Sequence, residues 1–144
     1  MTIRPYVRRT HFYETDQMGI IHHANYIHWF EEARVDFLDQ IGFSCGRCRE
    51  EGVDFAVLAV LCEYKSMTRF QETVEILTGI GALTPTRMTV TYRVTDAETG
   101  ALRVMGESRH CFVRCEGLRP VSLPKAIPAL YEAFAALVCP PPAK

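Results

Sequence analysis

The segment Thr15–Arg34, TDQMGIIHHANYIHWFEEAR, places a single acid in a short turn directly ahead of an amphipathic run. That acid is Asp16. A free aspartate has a pKa of about 3.9 and is ionised near neutral pH. A carboxylate facing a helix N-terminus is a minimal hydrolytic arrangement. The acid attacks or activates water, and the free N–H groups of the first helical turn receive the developing oxyanion. The bland reading of Asp16 is a turn residue bonded to its own backbone. Gly19 allows a sharp turn and close approach of the chain to a ligand. The peptide N–H of His23, or a neighbour at the helix start, is the candidate oxyanion donor. The His23 side chain would orient substrate or water, or protonate a leaving group, unless it only caps or packs. His22, His23 and His28 lack the spacing of a metal-ligand motif such as HExxH.

These residues need a turn and a helix to position them. Tyr26, Ile27, Phe30, Ala33, Phe37, Leu38 and Ile41 recur at spacings of three and four, which predicts a helix from Asn25 to Gly42. Asn25 is the expected N-cap and Gly42 the expected stop. Glu31 and Glu32, on that helix, are rival acids, although a solvated face explains them more simply. A first strand is expected over residues 3–13, and 43–52 reads as a loop. Val53–Lys65 is apolar on both faces and reads as a central strand. Thr73–Leu83 and Arg87–Thr95 alternate as half-buried strands. Asp96–Gly100 is a hairpin turn. Ala101–Cys115 is a long strand bending near Gly106. A helix over Lys125–Leu137 and a PPPAK tail complete the chain. One helix against one antiparallel sheet satisfies both apolar faces, which makes the class α+β. An open sheet edge would be covered by a second copy across a two-fold axis.

The chain has 144 residues, enough for one domain over 1–144 with a proper core. Its net charge of −1 gives no basic footprint for nucleic acid or anionic lipid. The N-terminus MTIRPYVRRT lacks the apolar stretch of a signal peptide, and no run is long enough to span a bilayer, so the expected compartment is the cytoplasm. The six cysteines fit that compartment as free thiols. A zinc site from Cys45, Cys48, Cys111 and Cys115 would require the two pairs to meet; reduced thiols are the simpler reading.

The block YETDQMGIIHHANYIHWFEEAR resembles the signature of hotdog-fold acyl-CoA thioesterases, in the 4-hydroxybenzoyl-CoA thioesterase-like branch that includes the Tol–Pal-associated acyl-CoA thioesterases. EYKSMTRFQETVEI and RPVSLPKAIPALYEAF extend the resemblance over nearly the whole chain. It implies a hotdog fold: a five-stranded antiparallel sheet wrapped around one long helix, with a short C-terminal helix. It implies hydrolysis of an acyl-CoA thioester without a metal or a cofactor of the protein's own. It also implies homodimers, or homotetramers built from them, with sites at the subunit interface.

Carried over residue by residue, the resemblance makes Asp16 the nucleophile or general base, with His23 in support. Gly19, Tyr26 and Trp29 fall in the same block, Tyr26 and Trp29 lining an acyl pocket or packing in the core. Met18 and Phe12 are further candidates for that pocket. Lys65, Ser66 and Arg69 fall where basic residues would meet CoA phosphates, with Arg87 and Arg93 as lesser candidates. One position departs from the pattern: Phe12 stands where the Tol–Pal branch carries Tyr. The rival reading is a non-catalytic module binding acyl-CoA or acyl carrier protein, because fold alone does not decide function. A hotdog dehydratase would need a His followed by a Gly-Asp pair, which this sequence lacks.

Overall fold

A computed structural model describes residues 1–140. Ten elements follow one another. They are β1 (Tyr6–Arg9), a 3-10 turn (Phe12–Glu14), α1 (Asn25–Gln40), α2 (Cys45–Glu50), β2 (Val53–Tyr64), β3 (Thr73–Leu83), β4 (Arg87–Asp96), β5 (Leu102–Arg114), α3 (Leu123–Ala126) and α4 (Pro128–Leu137). The five strands form one antiparallel sheet in the order β1-β3-β4-β5-β2. The class and the five-stranded sheet around one long helix are as the sequence predicts.

Helix α1 lies on the concave face. Tyr26, Trp29, Phe30, Ala33, Phe37 and Leu38 are buried at helical spacing. They meet Val74, Ile76, Val90, Tyr92, Val94 and Val104 of the sheet in one cluster. Phe30 stacks on Tyr92 with ring centroids 4.2 Å apart. Gly106 of β5 lies directly under Phe30, where a Cβ would overlap the ring. The glycine expected to bend the strand is therefore required for close approach of helix and sheet.

Four boundaries differ from expectation. The first strand is four residues long, because the chain tightens into a 3-10 turn at Phe12. The loop at 43–52 contains α2, capped by Ser44, whose Oγ accepts from the Arg47 N–H at 3.1 Å. The C-terminal helix is two helices, separated at Ile127 by Pro128, which cannot donate to continue α3. β2 is an edge strand, not a central one. Its outer run is left uncovered on both faces, and Val57, Leu58, Val60 and Leu61 are each at least 40% exposed.

All six cysteines are free thiols. Cys48 is buried, whereas Cys45 is exposed. No helix among the described residues is long and apolar enough to cross a membrane. Most of the PPPAK tail, residues 141–144, lies outside the described residues.

Candidate active site

Asp16 sits in a small hairpin between the 3-10 turn and α1. Thr15 and Ile21 form a bridge, and the Asp16 N–H donates to the Ile20 carbonyl at 2.8 Å. The turn closes when the Gly19 N–H donates to the Asp16 carbonyl at 3.0 Å. Gly19 has φ +77°, the left-handed conformation that side-chain-bearing residues avoid. The two carboxylate oxygens differ. Oδ1 accepts the Met18 N–H at 2.8 Å, which is the local turn bond. Oδ2 has no protein partner among the described residues and belongs to a residue lining an open cavity. The turn bond thus orients the carboxylate without occupying it fully.

That cavity, of about 240 Å³, is walled by Met18, Ile20, Ile21 and Met67, with Tyr26 and Tyr64 behind them. Asp16, His23, Lys65 and Ser66 supply its polar atoms. The start of α1 forms one side. The residue before the helix is Ala24, not Asn25; its own side chain cannot cap the helix, and its N–H donates to His22 Nδ1 at 3.1 Å. Asn25 is already helical, and its Nδ2 donates to the Glu14 carbonyl at 2.8 Å. The Asn25 N–H donates to the His22 carbonyl at 3.0 Å and the Ile27 N–H to the Ala24 carbonyl at 3.2 Å, so most of the helix start is already bonded. Among the described residues the His23 N–H has no acceptor, and the same residue borders the cavity with Asp16. The His23 carbonyl, in contrast, is held by the Tyr64 hydroxyl at 2.8 Å. The His23 ring stacks on His22 at 4.2 Å and stands edge-on to Tyr64 at 6.4 Å.

The expected site residues divide as follows. Asp16, His23, Tyr26, Lys65 and Ser66 meet at one cavity, with Met18. Gly19 shapes the turn without lining it. Trp29 is 0% exposed. Its indole N–H donates to Glu14 at 2.7 Å and its ring packs on Tyr26, so it belongs to the core and not to the cavity wall. Arg69 is exposed and does not line the cavity; its own backbone bridges Ile20 beside it. Lys65 pairs with Glu63 at 3.1 Å on the surface. The Ser66 hydroxyl donates to the Leu102 carbonyl at 2.6 Å. Phe12 and Tyr13 share the 3-10 turn, 73% and 78% exposed, and neither lines the cavity. Phe12 packs edge-on against Phe70 instead. Tyr64, Ile20, Ile21 and Met67 were not foreseen. Tyr64 ends a strand whose exposed and buried faces look alike in sequence, so nothing local marks it.

Other cavities are secondary to this chemistry. One of about 430 Å³ at the β3–β4 end holds Glu72, Asp96 and Glu98. Glu72 and Asp96 already pair with Arg103 at 2.9 and 3.3 Å. The N–H groups of Thr99 and Glu98, with Arg103, hold the Asp96 carboxyl down at about 2 despite its burial. This is a tightly bonded turn rather than a reactive site. A second cavity, of about 180 Å³, lies between α1 and β2 and includes Glu31, and an open hollow of about 440 Å³ beside Tyr6 includes both Glu31 and Glu32, the latter bound to Arg8 at 2.8 Å.

A family profile described as Thioesterase-like superfamily matches residues 10–134. The Acyl-CoA thioester hydrolase YbgC of Escherichia coli is 30% identical over 126 residues, covering 86% of this chain and 92% of that protein. The structure of a DHNA-CoA thioesterase from Staphylococcus aureus superposes with a TM-score of 0.87 at 27% identity, covering 92% of this chain and 89% of that one. A hypothetical protein from Thermus thermophilus superposes with a TM-score of 0.85 at 32% identity, covering 94% and 99%. An acid turn leading into a helix, the sheet that wraps it and these likenesses agree: the chain belongs to the thioesterase-like superfamily, among the hotdog-fold acyl-CoA thioesterases.

Proposed function

We propose that this protein hydrolyses an acyl-CoA thioester to the free acid and CoA, with Asp16 as the acting carboxylate. One observation carries the reading. The unpartnered Oδ2 of Asp16 and the unbonded N–H of His23 belong to residues bordering the same cavity, at the start of α1.

Two routes fit this arrangement. In the first, Asp16 takes a proton from water and the hydroxide adds to the thioester carbonyl. The oxyanion is held by the His23 N–H at the helix start. The C–S bond then breaks, and the CoA thiolate leaves with the proton that Asp16 gained. In the second, the carboxylate itself adds to the carbonyl, expels the thiolate and forms an acyl-aspartyl anhydride, which water hydrolyses. In the second route the His23 ring would supply the proton to the departing sulfur and take one back from the water that hydrolyses the anhydride. Met18, Ile20, Ile21, Tyr26, Tyr64 and Met67 give the acyl group an apolar wall. Lys65 lies at the rim, where CoA phosphates would approach.

The reading extends to a homodimer. β2 is a 12-residue edge strand with uncovered apolar side chains on its outer run, and such an edge pairs readily with its own copy. The six free thiols support a reducing, cytoplasmic setting. The test is hydrolysis of benzoyl, 4-hydroxybenzoyl, butyryl, octanoyl and palmitoyl thioesters of CoA, followed by thioester absorbance to avoid interference from the protein's thiols. Turnover of any member supports the reading. Tight acyl-CoA binding without turnover of any member would make the protein a binding module instead.

A further inference from the structure

Glu14 stands out as a carboxylate that is 2% exposed in a turn of otherwise exposed residues. Burying an ionised carboxylate costs several kcal/mol unless its oxygens are matched by donors. They are matched here. Oε1 accepts from Arg8 Nη1 at 2.6 Å and from the His11 N–H at 2.8 Å, and Oε2 accepts from Trp29 Nε1 at 2.7 Å. Burial pushes the carboxyl up, but the bonds from Arg8, Trp29 and His11 outweigh it and hold the group below its ordinary value. The side chain thereby ties β1, the 3-10 turn and α1 together.

That anchored side chain also fixes where the backbone of the same residue lies. Its carbonyl oxygen accepts both the His22 N–H and Asn25 Nδ2, each at 2.8 Å. These two donors come from the far end of the loop that begins at Thr15. One residue therefore closes the Asp16 hairpin at its base and fixes the first residue of α1 to that base. Asp16 lies two positions beyond, and His23 lies between the two donors.

We infer that Glu14 is a positioning residue: it sets the Asp16 carboxylate against the His23 N–H by clamping both ends of the loop that carries them. The inference rests on Asp16 being the acting acid. Glu14 does not touch the cavity, so it acts only through this geometry. A displacement of about 1 Å between reacting groups costs on the order of 10²-fold in rate.

The test compares wild type, Asp16→Asn, Glu14→Gln and Leu130→Ala on the best acyl-CoA of the panel, well below every melting temperature. In Glu14→Gln, an amide N–H₂ must face either Arg8 and His11 or the Trp29 indole, donor against donor. The expected result is a kcat lower by about 10- to 100-fold with KM changed less than about threefold. Leu130→Ala is a destabilised control. Leu130 is fully buried in α4, and its variant is expected to keep kcat. A wild-type kcat in Glu14→Gln overturns the inference, and so does a loss matched by Leu130→Ala. If Glu14→Gln fails to fold, Trp29→Phe removes one donor while keeping an aromatic ring. A several-fold fall in kcat there supports the clamp, and an unchanged kcat overturns it. Activity retained in Asp16→Asn removes the reading of Asp16 and the clamp with it. Activity lost in Asp16→Asn but kept in Glu14→Gln removes the clamp alone.

Discussion

At single residues, the same chemical type takes opposite roles according to what surrounds it. Asp16 has one carboxylate oxygen without a protein partner among the described residues, whereas Glu14, two residues earlier, has both oxygens filled. The turn that carries Asp16 was legible because acid, glycine and helix start stand at fixed offsets. Glu14 was not, because its partners Arg8 and Trp29 lie on other elements. His110 shows the same dependence on tertiary context. It is fully buried on β5, and its Nε2 lies 2.7 Å from the Ser108 hydroxyl. That hydroxyl lies 2.6 Å from the Tyr92 hydroxyl, which accepts from Arg34 at 2.8 Å. Burial, with the Arg34 charge adding to it, pushes the His110 imidazole down to about 4 from an ordinary 6.5. The folded protein therefore binds fewer protons than the unfolded chain between those values. Stability from this group is complete above pH 6.5 and declines as pH falls toward about 4. In thermal unfolding at a series of pH values, His110→Gln should flatten this part of the curve. An unaltered curve would show that other groups set it.

Among the elements, α1 is the one whose sequence and structure agree best, since its apolar spacing alone sets its inward face. Its cap was misplaced by one residue because Asn25 looks like a cap but bonds to Glu14. The strands β3, β4 and β5 follow their alternation to within a residue or two. β2 carried an ambiguity that alternation does not resolve. A strand apolar on both faces is central, or else it is an edge awaiting a partner. Helix and sheet meet most closely at Phe30 and Gly106. Gly106→Ala would force the Phe30 ring off Tyr92, at a cost of about 1–3 kcal/mol typical of overpacking. Chemical denaturation should read this as a lower midpoint, and an unchanged midpoint would mean that α1 shifts freely over the sheet.

For the whole molecule, the concave side of the sheet is filled by α1, and its β2 edge is left uncovered. Val60→Lys places a charge on that edge and should convert a homodimer to a monomer by light scattering. A wild-type protein that is monomeric at high concentration would contradict the pairing. We place the chemistry at the carboxylate in the turn. The most direct test is the rate of thioester hydrolysis by Asp16→Asn, with its fold verified by circular dichroism and its melting temperature matched to wild type. A fall in kcat of about 10²–10⁴-fold, with acyl-CoA still bound, is the expected result. A folded Asp16→Asn protein that hydrolyses its substrate at the wild-type rate would contradict the claim and direct attention to Glu31, the acid beside the neighbouring cavity.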